Sequence, residues 1–190
     1  MIREAAKTII SGGVIVYPTE TVYGIGANAL DEQAILRVFQ IKKRPLPMPI
    51  FLAVSSLEML DRVAELDNDD KEILKQLLPG PLSVLVRRKS IVPDVLTAGS
   101  SLVGIRFPDH EVALRIIDVT GPITSTSANR TGSPPPVSAN EVSAEIATRV
   151  DMVLDGGKCK FGQPSTLLDL VNRKIIRPGA ELEKVQRAIS

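Results

Sequence analysis

Val14-Ile15-Val16-Tyr17-Pro18-Thr19-Glu20-Thr21-Val22-Tyr23-Gly24-Ile25-Gly26-Ala27-Asn28 is the stretch that decides the fold. Four apolar residues in a row read as a short buried strand, and Pro18 ends it. Hydroxyls, a carboxylate and closely spaced glycines follow directly. Such a loop sits at the carboxyl end of a buried strand, which is where open α/β sheets bind ligands. The plainer alternative for the same loop is a hydrogen-bonded turn. Gly24-x-Gly26-x-x-Ala29 imitates a dinucleotide-binding fingerprint, but its first glycine stands seven residues past Tyr17, too far for the tight strand-to-helix turn. Arg44, not an acid, stands twenty residues on.

Working outward, residues 2–11 carry Ile2, Ala5, Ala6, Ile9 and Ile10 at helical spacing, and Gly12-Gly13 stops that helix. Asp31 is an N-cap for a helix through Ile41. Lys42 to Pro49 holds three prolines and reads as non-helical. Strands are expected at 50–54, 82–87, 102–107, 123–126, 152–155, 166–170 and 174–176. Helices are expected after the capping box Ser55-x-x-Glu58, over 68–78 and 109–119, and from Ser138-x-x-Glu141 to about Thr148. Pro79-Gly80-Pro81 stops the 68–78 helix. Helices and strands alternate without the regular period of a nucleotide-binding βαβ series. The expected fold is therefore α/β: a single domain over 1–190 with a twisted, mixed parallel and antiparallel sheet flanked by helices.

Of 190 residues, 44 % are hydrophobic and 24 % charged, enough to bury a core and too apolar for disorder throughout. The formal net charge of +1 advertises neither nucleic acid nor membrane, so any basic site must be local. The single cysteine, Cys159, excludes an intrachain disulfide and a cysteine-based zinc cluster, and fits a reducing compartment. Arg3, Glu4 and Lys7 argue against a signal peptide, and no apolar run nears the roughly 18 residues that span a bilayer. A cytoplasmic location is expected. With no Trp, two Tyr and four Phe, an aromatic platform for RNA bases is poorly supplied.

Polar residues gather in several loops. Lys42-Lys43-Arg44-Pro45 is either a basic helix end on the surface or, if extended, a pair of cations sent to one side to grip phosphates. Ser125-Thr126-Ser127-Ala128-Asn129 supplies three hydroxyls and a carboxamide after an apolar strand, or is simply a polar turn. Arg106 lies inside an apolar strand and needs a partner if buried, whether a ligand carboxylate or an internal Asp or Glu. Ser165-Thr166 and Arg177-Pro178-Gly179 close the series. His110 reads as a surface or cap residue. Cys159 lies between Lys158 and Lys160, which would lower its pKa, and is read as an incidental thiol. No metal-ligand spacing is present, so no protein-bound metal is expected.

Taken together, Pro18-Thr19-Glu20-Thr21-Val22-Tyr23-Gly24, Lys42-Lys43-Arg44-Pro45, Pro79-Gly80-Pro81-Leu82, Val103-Gly104-Ile105-Arg106-Phe107-Pro108, Ser127-Ala128-Asn129, and Ser165-Thr166 with Arg177-Pro178-Gly179 resemble the YrdC-like threonylcarbamoyl-AMP synthase family. The resemblance covers Gly13 to Gly179. Because the chain ends eleven residues later, it resembles the short, single-domain branch. The family's fold would bring a concave, positively lined cavity. Its reaction would take L-threonine, bicarbonate or CO₂, and ATP with its Mg²⁺, and yield threonylcarbamoyl-adenylate and pyrophosphate. A downstream transferase complex would then modify adenosine 37 of tRNA.

The resemblance implies that Thr19, Arg106, Ser125 and Ser165 face threonine. Lys42 and Arg44 would face the phosphates as catalytic cations, and Ser127, Asn129 and Arg177 the nucleotide. Pro47, Met48, Leu102 and Pro135 depart from the family's pattern. Charge accumulates on phosphate oxygens in this reaction, so cations and hydroxyl donors are the residue types it needs. The carbamate is already an anion, which makes a protein base less necessary. Two other readings compete: a double-stranded RNA-binding module, with weak and salt-sensitive contact, and a paralogue making another carbamoyl or acyl adenylate.

Overall fold

The computed structural model describes residues 1–189. Helix α1 (Ile2–Ile10) turns Ala5, Ala6 and Ile9 inward, and strand β1 (Ile15–Tyr17) follows wholly buried. The polar loop then enters a strand that three residues of sequence cannot announce. This is β2 (Gly24–Gly26), antiparallel to β1 with Val16 opposite Ile25. Its glycines are required by close approach. A Cβ at either position would stand 3.0–3.1 Å from the Tyr17 ring, which is itself buried against the strand.

Helix α2 (Glu32–Lys42) is capped as expected, Asp31 Oδ1 accepting from the Gln33 and Ala34 amides. It runs one residue further than expected. Lys42 is its last residue, and Lys43 closes it in the left-handed region at φ 49°, with the Lys43 and Arg44 amides donating to Gln40 and Phe39 carbonyls. Lys42 and Arg44 therefore do not alternate along an extended segment, and that expectation is corrected.

Strand β3 (Phe51–Ala53) leads to α3 (Leu57–Val63). Its cap is Ser56, whose hydroxyl accepts from the Met59 amide, so the box read at Ser55 and Glu58 is displaced by one residue. Then come β4 (Ala64–Glu65), α4 (Asn68–Leu77) with an Asp67–Asp70 capping box, β5 (Leu82–Arg88), the single turn α5 (Asp94–Thr97), β6 (Leu102–Arg106), α6 (Glu111–Thr120) and β7 (Ile123–Ser127).

The expected helix from Ser138 to Thr148 is not continuous. A 3₁₀ turn at Ala139–Glu141 ends in extended Val142, and a separate turn α7 (Ala144–Ala147) is capped by Ser143. Glu141 is drawn back to the Val137 amide and the Ser138 hydroxyl, which satisfies the first turn locally. β8 (Met152–Val153), β9 (Thr166–Asp169), β10 (Lys174–Arg177) and α8 (Leu182–Ala188) complete the described chain.

The ten strands form one mixed sheet in the order β10-β9-β5-β6-β3-β7-β2-β1-β8, with β4 beside β5. β1–β8, β3–β6 and β5–β9 are parallel and the other pairs antiparallel. A continuous apolar core runs from Ala5 to Val185 between the sheet and its helices. Among the described residues, no helix is long and apolar enough to cross a membrane. The centre of the sheet positions the polar loops. β7 pairs with β2 (Gly24 opposite Ser127) and with β3 (Phe51 opposite Ser125), while β5 sets Ser83 opposite Arg106. Residues directly opposite share a face of the sheet.

Candidate active site

The polar loops meet around a cavity of about 370 Å³, a size suited to small ligands. Of the residues singled out in the sequence, Thr19, Arg44, Arg106, Ser125, Ser127, Asn129, Ser165 and Arg177 all line it. Lys42 does not. Its side chain is buried beneath the loop that follows β7, where Nζ donates to the carbonyl oxygens of Ser127 and, at 2.6 Å, of Asn129. Burial, and after it the Arg44 charge, push the Lys42 ammonium down to about 7.

Arg44 leaves the helix end and folds over its own loop, donating from Nε to Met48 O at 3.0 Å and from Nη2 to Pro49 O at 2.8 Å. Thr19 is held by its own turn. Its hydroxyl lies 2.7 Å from Val22 O, 3.0 Å from the Thr21 hydroxyl, and accepts from the Thr21 and Val22 amides. Thr19 therefore shapes the loop that crosses the cavity. Tyr23 anchors the far end of that loop, its hydroxyl donating to Gly157 O at 2.7 Å.

Arg106 has an internal carboxylate partner, one of the two options the sequence left open. Nη2 meets Glu20 Oε1 at 2.6 Å and reaches Thr21 Oγ1 at 3.4 Å, and Nη1 donates to Gly80 O and Leu82 O. The pair is buried, and Glu20 Oε2 has no hydrogen-bond partner. A buried charge pair of this kind is held by geometry and leaves little tolerance for loss of either member. At the same end of the cavity Ser83 Oγ lies 2.6 Å from Ser165 Oγ, and Arg177 Nη2 donates to Ser165 O at 2.9 Å. Ser165 and Arg177, assigned to different substrates in the sequence reading, are thus in direct contact. Burial, and then the charge of Arg106, lower the Arg177 pKa.

Three cavity or near-cavity residues escaped the sequence reading. Glu20 stood in the quoted loop without a role. Ser83 was one polar position in an apolar strand, visible only once β5 and β6 are aligned. Phe51 lies across Gly104, where any Cβ would collide with its ring, and forms the apolar floor. One smaller reading is corrected, that of Cys159, while His110 stands at the cap position read for it. The Cys159 thiol is buried, and burial raises its pKa rather than the flanking lysines lowering it. His110 is the N-cap of α6 but makes no side-chain cap bond; burial lowers its pKa, and Nδ1 is without a partner. Among the described residues no group of three or more His, Cys, Asp or Glu side chains is placed to hold a metal ion.

Comparison with known proteins agrees with this architecture. Residues 7–179 match the Sua5_yciO_yrdC family model, described as telomere recombination. The chain is 39 % identical over 193 residues to a threonylcarbamoyl-AMP synthase of Pyrococcus abyssi, across 99 % of this chain and 57 % of that protein. It is 33 % identical over 179 residues to a threonylcarbamoyl-AMP synthase of Cellvibrio japonicus, across 93 % of this chain and 95 % of that protein. The crystal structure of P. abyssi Sua5 complexed with L-threonine superposes with a TM-score of 0.95 over 100 % of this chain and 57 % of that one. The chain thus spans little more than half of the first relative and nearly all of the second.

Proposed function

The chain belongs to the Sua5/YciO/YrdC family, and from that premise we propose that it joins L-threonine, bicarbonate or CO₂, and ATP into threonylcarbamoyl-adenylate, releasing pyrophosphate. The observation that carries this reading is the single cavity into which Arg44, Arg106 and Arg177 converge with the hydroxyls of Ser125, Ser127 and Ser165. A cavity lined by cations and hydroxyl donors suits a reaction whose charge sits on phosphate and carboxylate oxygens.

The steps follow from the chemistry. The threonine amine attacks CO₂ and loses a proton to solvent, giving a carbamate. A carbamate oxygen attacks the α-phosphorus of ATP, and the bond to the β,γ-pyrophosphate breaks. Arg44 faces the developing phosphate charge. Lys42 acts behind it by holding the Ser127 and Asn129 carbonyls, and so the loop that meets the nucleotide. Arg106, its charge largely offset by Glu20, and Arg177 beside it face the threonine carboxylate. Thr19 and Ser125 border the amino-acid side of the cavity. Proximity of carbamate and ATP supplies much of the remaining acceleration. The product would serve the threonylcarbamoylation of tRNA adenosine 37 in the cytoplasm through a separate transferase, with any direct RNA contact electrostatic and secondary.

The test is pyrophosphate release from ATP with each amino acid in turn, with and without bicarbonate. Release should require both threonine and bicarbonate, with serine next and valine last, because a site that pairs the substrate hydroxyl rejects the analogue lacking it. Equal release with valine, or release without any amino acid, would overturn the assignment.

A further inference from the structure

We propose that Ser83 is a further substrate-binding residue, whose hydroxyl donates the hydrogen bond that seats the α-carboxylate of the amino-acid substrate beside Arg106. The inference rests on the reading above that the cavity takes an amino acid. It begins from a shortage at Arg106. The two terminal nitrogens of a guanidinium carry four N–H bonds. Here four acceptors face them: Gly80 O, Leu82 O, Glu20 Oε1 and, at 3.4 Å, Thr21 Oγ1. The Glu20 carboxylate also neutralises the charge. Among the described residues only the Nε–H of Arg106 meets no acceptor, so a substrate carboxylate with two oxygens at this end needs a further hydrogen-bond donor.

Ser83 is placed to be that donor. It lies directly opposite Arg106 across the β5–β6 ladder, on the same face, and lines the cavity. Its hydroxyl contacts Ser165 Oγ at 2.6 Å, and each hydroxyl carries one proton, so one of the two protons is used between them. Arg177 Nη2 donates to Ser165 O and reaches Ser165 Oγ at 3.4 Å; a carboxylate beside Ser83 would order the pair, Ser165 donating to Ser83 and Ser83 to the carboxylate. The chain of donors then runs from Arg177 through Ser165 to Ser83. It ends in a Ser83 proton for which no acceptor is present among the described residues. Ser83 is 2 % exposed, so that proton is shielded from bulk water and open only to the cavity. Among the described residues Arg177 meets no carboxylate, and its unneutralised charge polarises the chain toward an anion.

The test is isothermal titration of the full chain with L-threonine and with L-threoninamide, which lacks the carboxylate charge. Variants are Ser83→Ala, and the near-isosteric pair Ser83→Thr and Ser83→Val, which differ in the hydroxyl while filling similar space. Loss of a charge-assisted hydrogen bond should weaken threonine binding about 10–100-fold in Ser83→Ala and Ser83→Val. Threoninamide affinity should stay near wild type in those variants, ATP KM should not move, and Ser83→Thr should restore threonine binding. Equal loss for threonine and threoninamide would assign Ser83 a packing role and overturn the proposal. So would unchanged threonine affinity in both hydroxyl-free variants. Failure of the wild-type chain to bind threonine would instead overturn the proposed reaction, and this seat with it.

Discussion

Lys42 Nζ lies 2.6 Å from the Asn129 carbonyl oxygen and also donates to the Ser127 carbonyl, so the last residue of α2 ties down the loop after β7 from beneath. Lys42→Met keeps the stem and removes the donor. Above pH 7, where the amine is neutral, two hydrogen bonds to carbonyls are lost, so stability should fall by about 1–3 kcal/mol. Pyrophosphate release should fall with it, because Ser127 and Asn129 lose their support. Thermal unfolding alongside turnover checks this; an unchanged melt with lost turnover would mean that Lys42 reaches the phosphates itself.

The same lysine makes stability depend on pH. Burial and the Arg44 charge place its ammonium at about 7, against 10.5 as its ordinary value. Between those values the folded chain holds fewer protons than the unfolded chain, so the unfolding free energy rises with pH across that window. Below about 7 both states are protonated, and the buried charge costs the fold in full. The slope contributed is at most about 1.4 kcal/mol per pH unit. Wild type should therefore gain stability relative to Lys42→Met between pH 7 and 10 in denaturant titrations. A constant difference would show that the two carbonyls keep the lysine charged.

Glu20 and Arg106 should be inseparable. Removing one member of a buried pair leaves the other uncompensated, at about 3–5 kcal/mol, so Glu20→Ala should be strongly destabilising. Glu20→Gln, which keeps an acceptor for Nη2, should be milder. Adding Arg106→Met to Glu20→Ala should recover part of the loss, and a double-mutant cycle measures the coupling. Additive effects would show that the two side chains do not depend on each other.

Gly104→Ala should destabilise by about 1–3 kcal/mol, since the new methyl group would collide with the Phe51 ring that floors the cavity. Phe51→Leu in the same chain should relieve the strain and return most of the melting temperature. If Gly104→Ala melts normally, the ring has room to move.

Where periodicity and capping act within one segment, the sequence could be read directly: the inward face of α1, the Asp31 cap of α2 and the apolar β5 and β6 are where their residues place them. Where an element depends on a partner, it could not. β2 is three residues, Gly-Ile-Gly, and is a strand only because β1 and β7 flank it. Lys42 belongs to its helix because Lys43 takes a left-handed turn that no residue type there advertises. Residues of the cavity could be picked out as polar groups in loops after strands, but Ser83 could not, because its value comes from the register that sets it opposite Arg106.

The cavity draws on residues from Thr19 to Arg177, and β5 reaches β9 only by pairing segments far apart in the chain. Such long-range pairings are slow to form, and during synthesis the amino-terminal part is exposed first. On the proposed function, a ribosome that has released Thr19, Arg44 and Arg106 has still released no complete substrate seat, for Ser165 and Arg177 remain to come. The nascent chain would then have no ligand to steady its early strands, and substrates could begin to stabilise the protein only once Arg177 had left the exit tunnel.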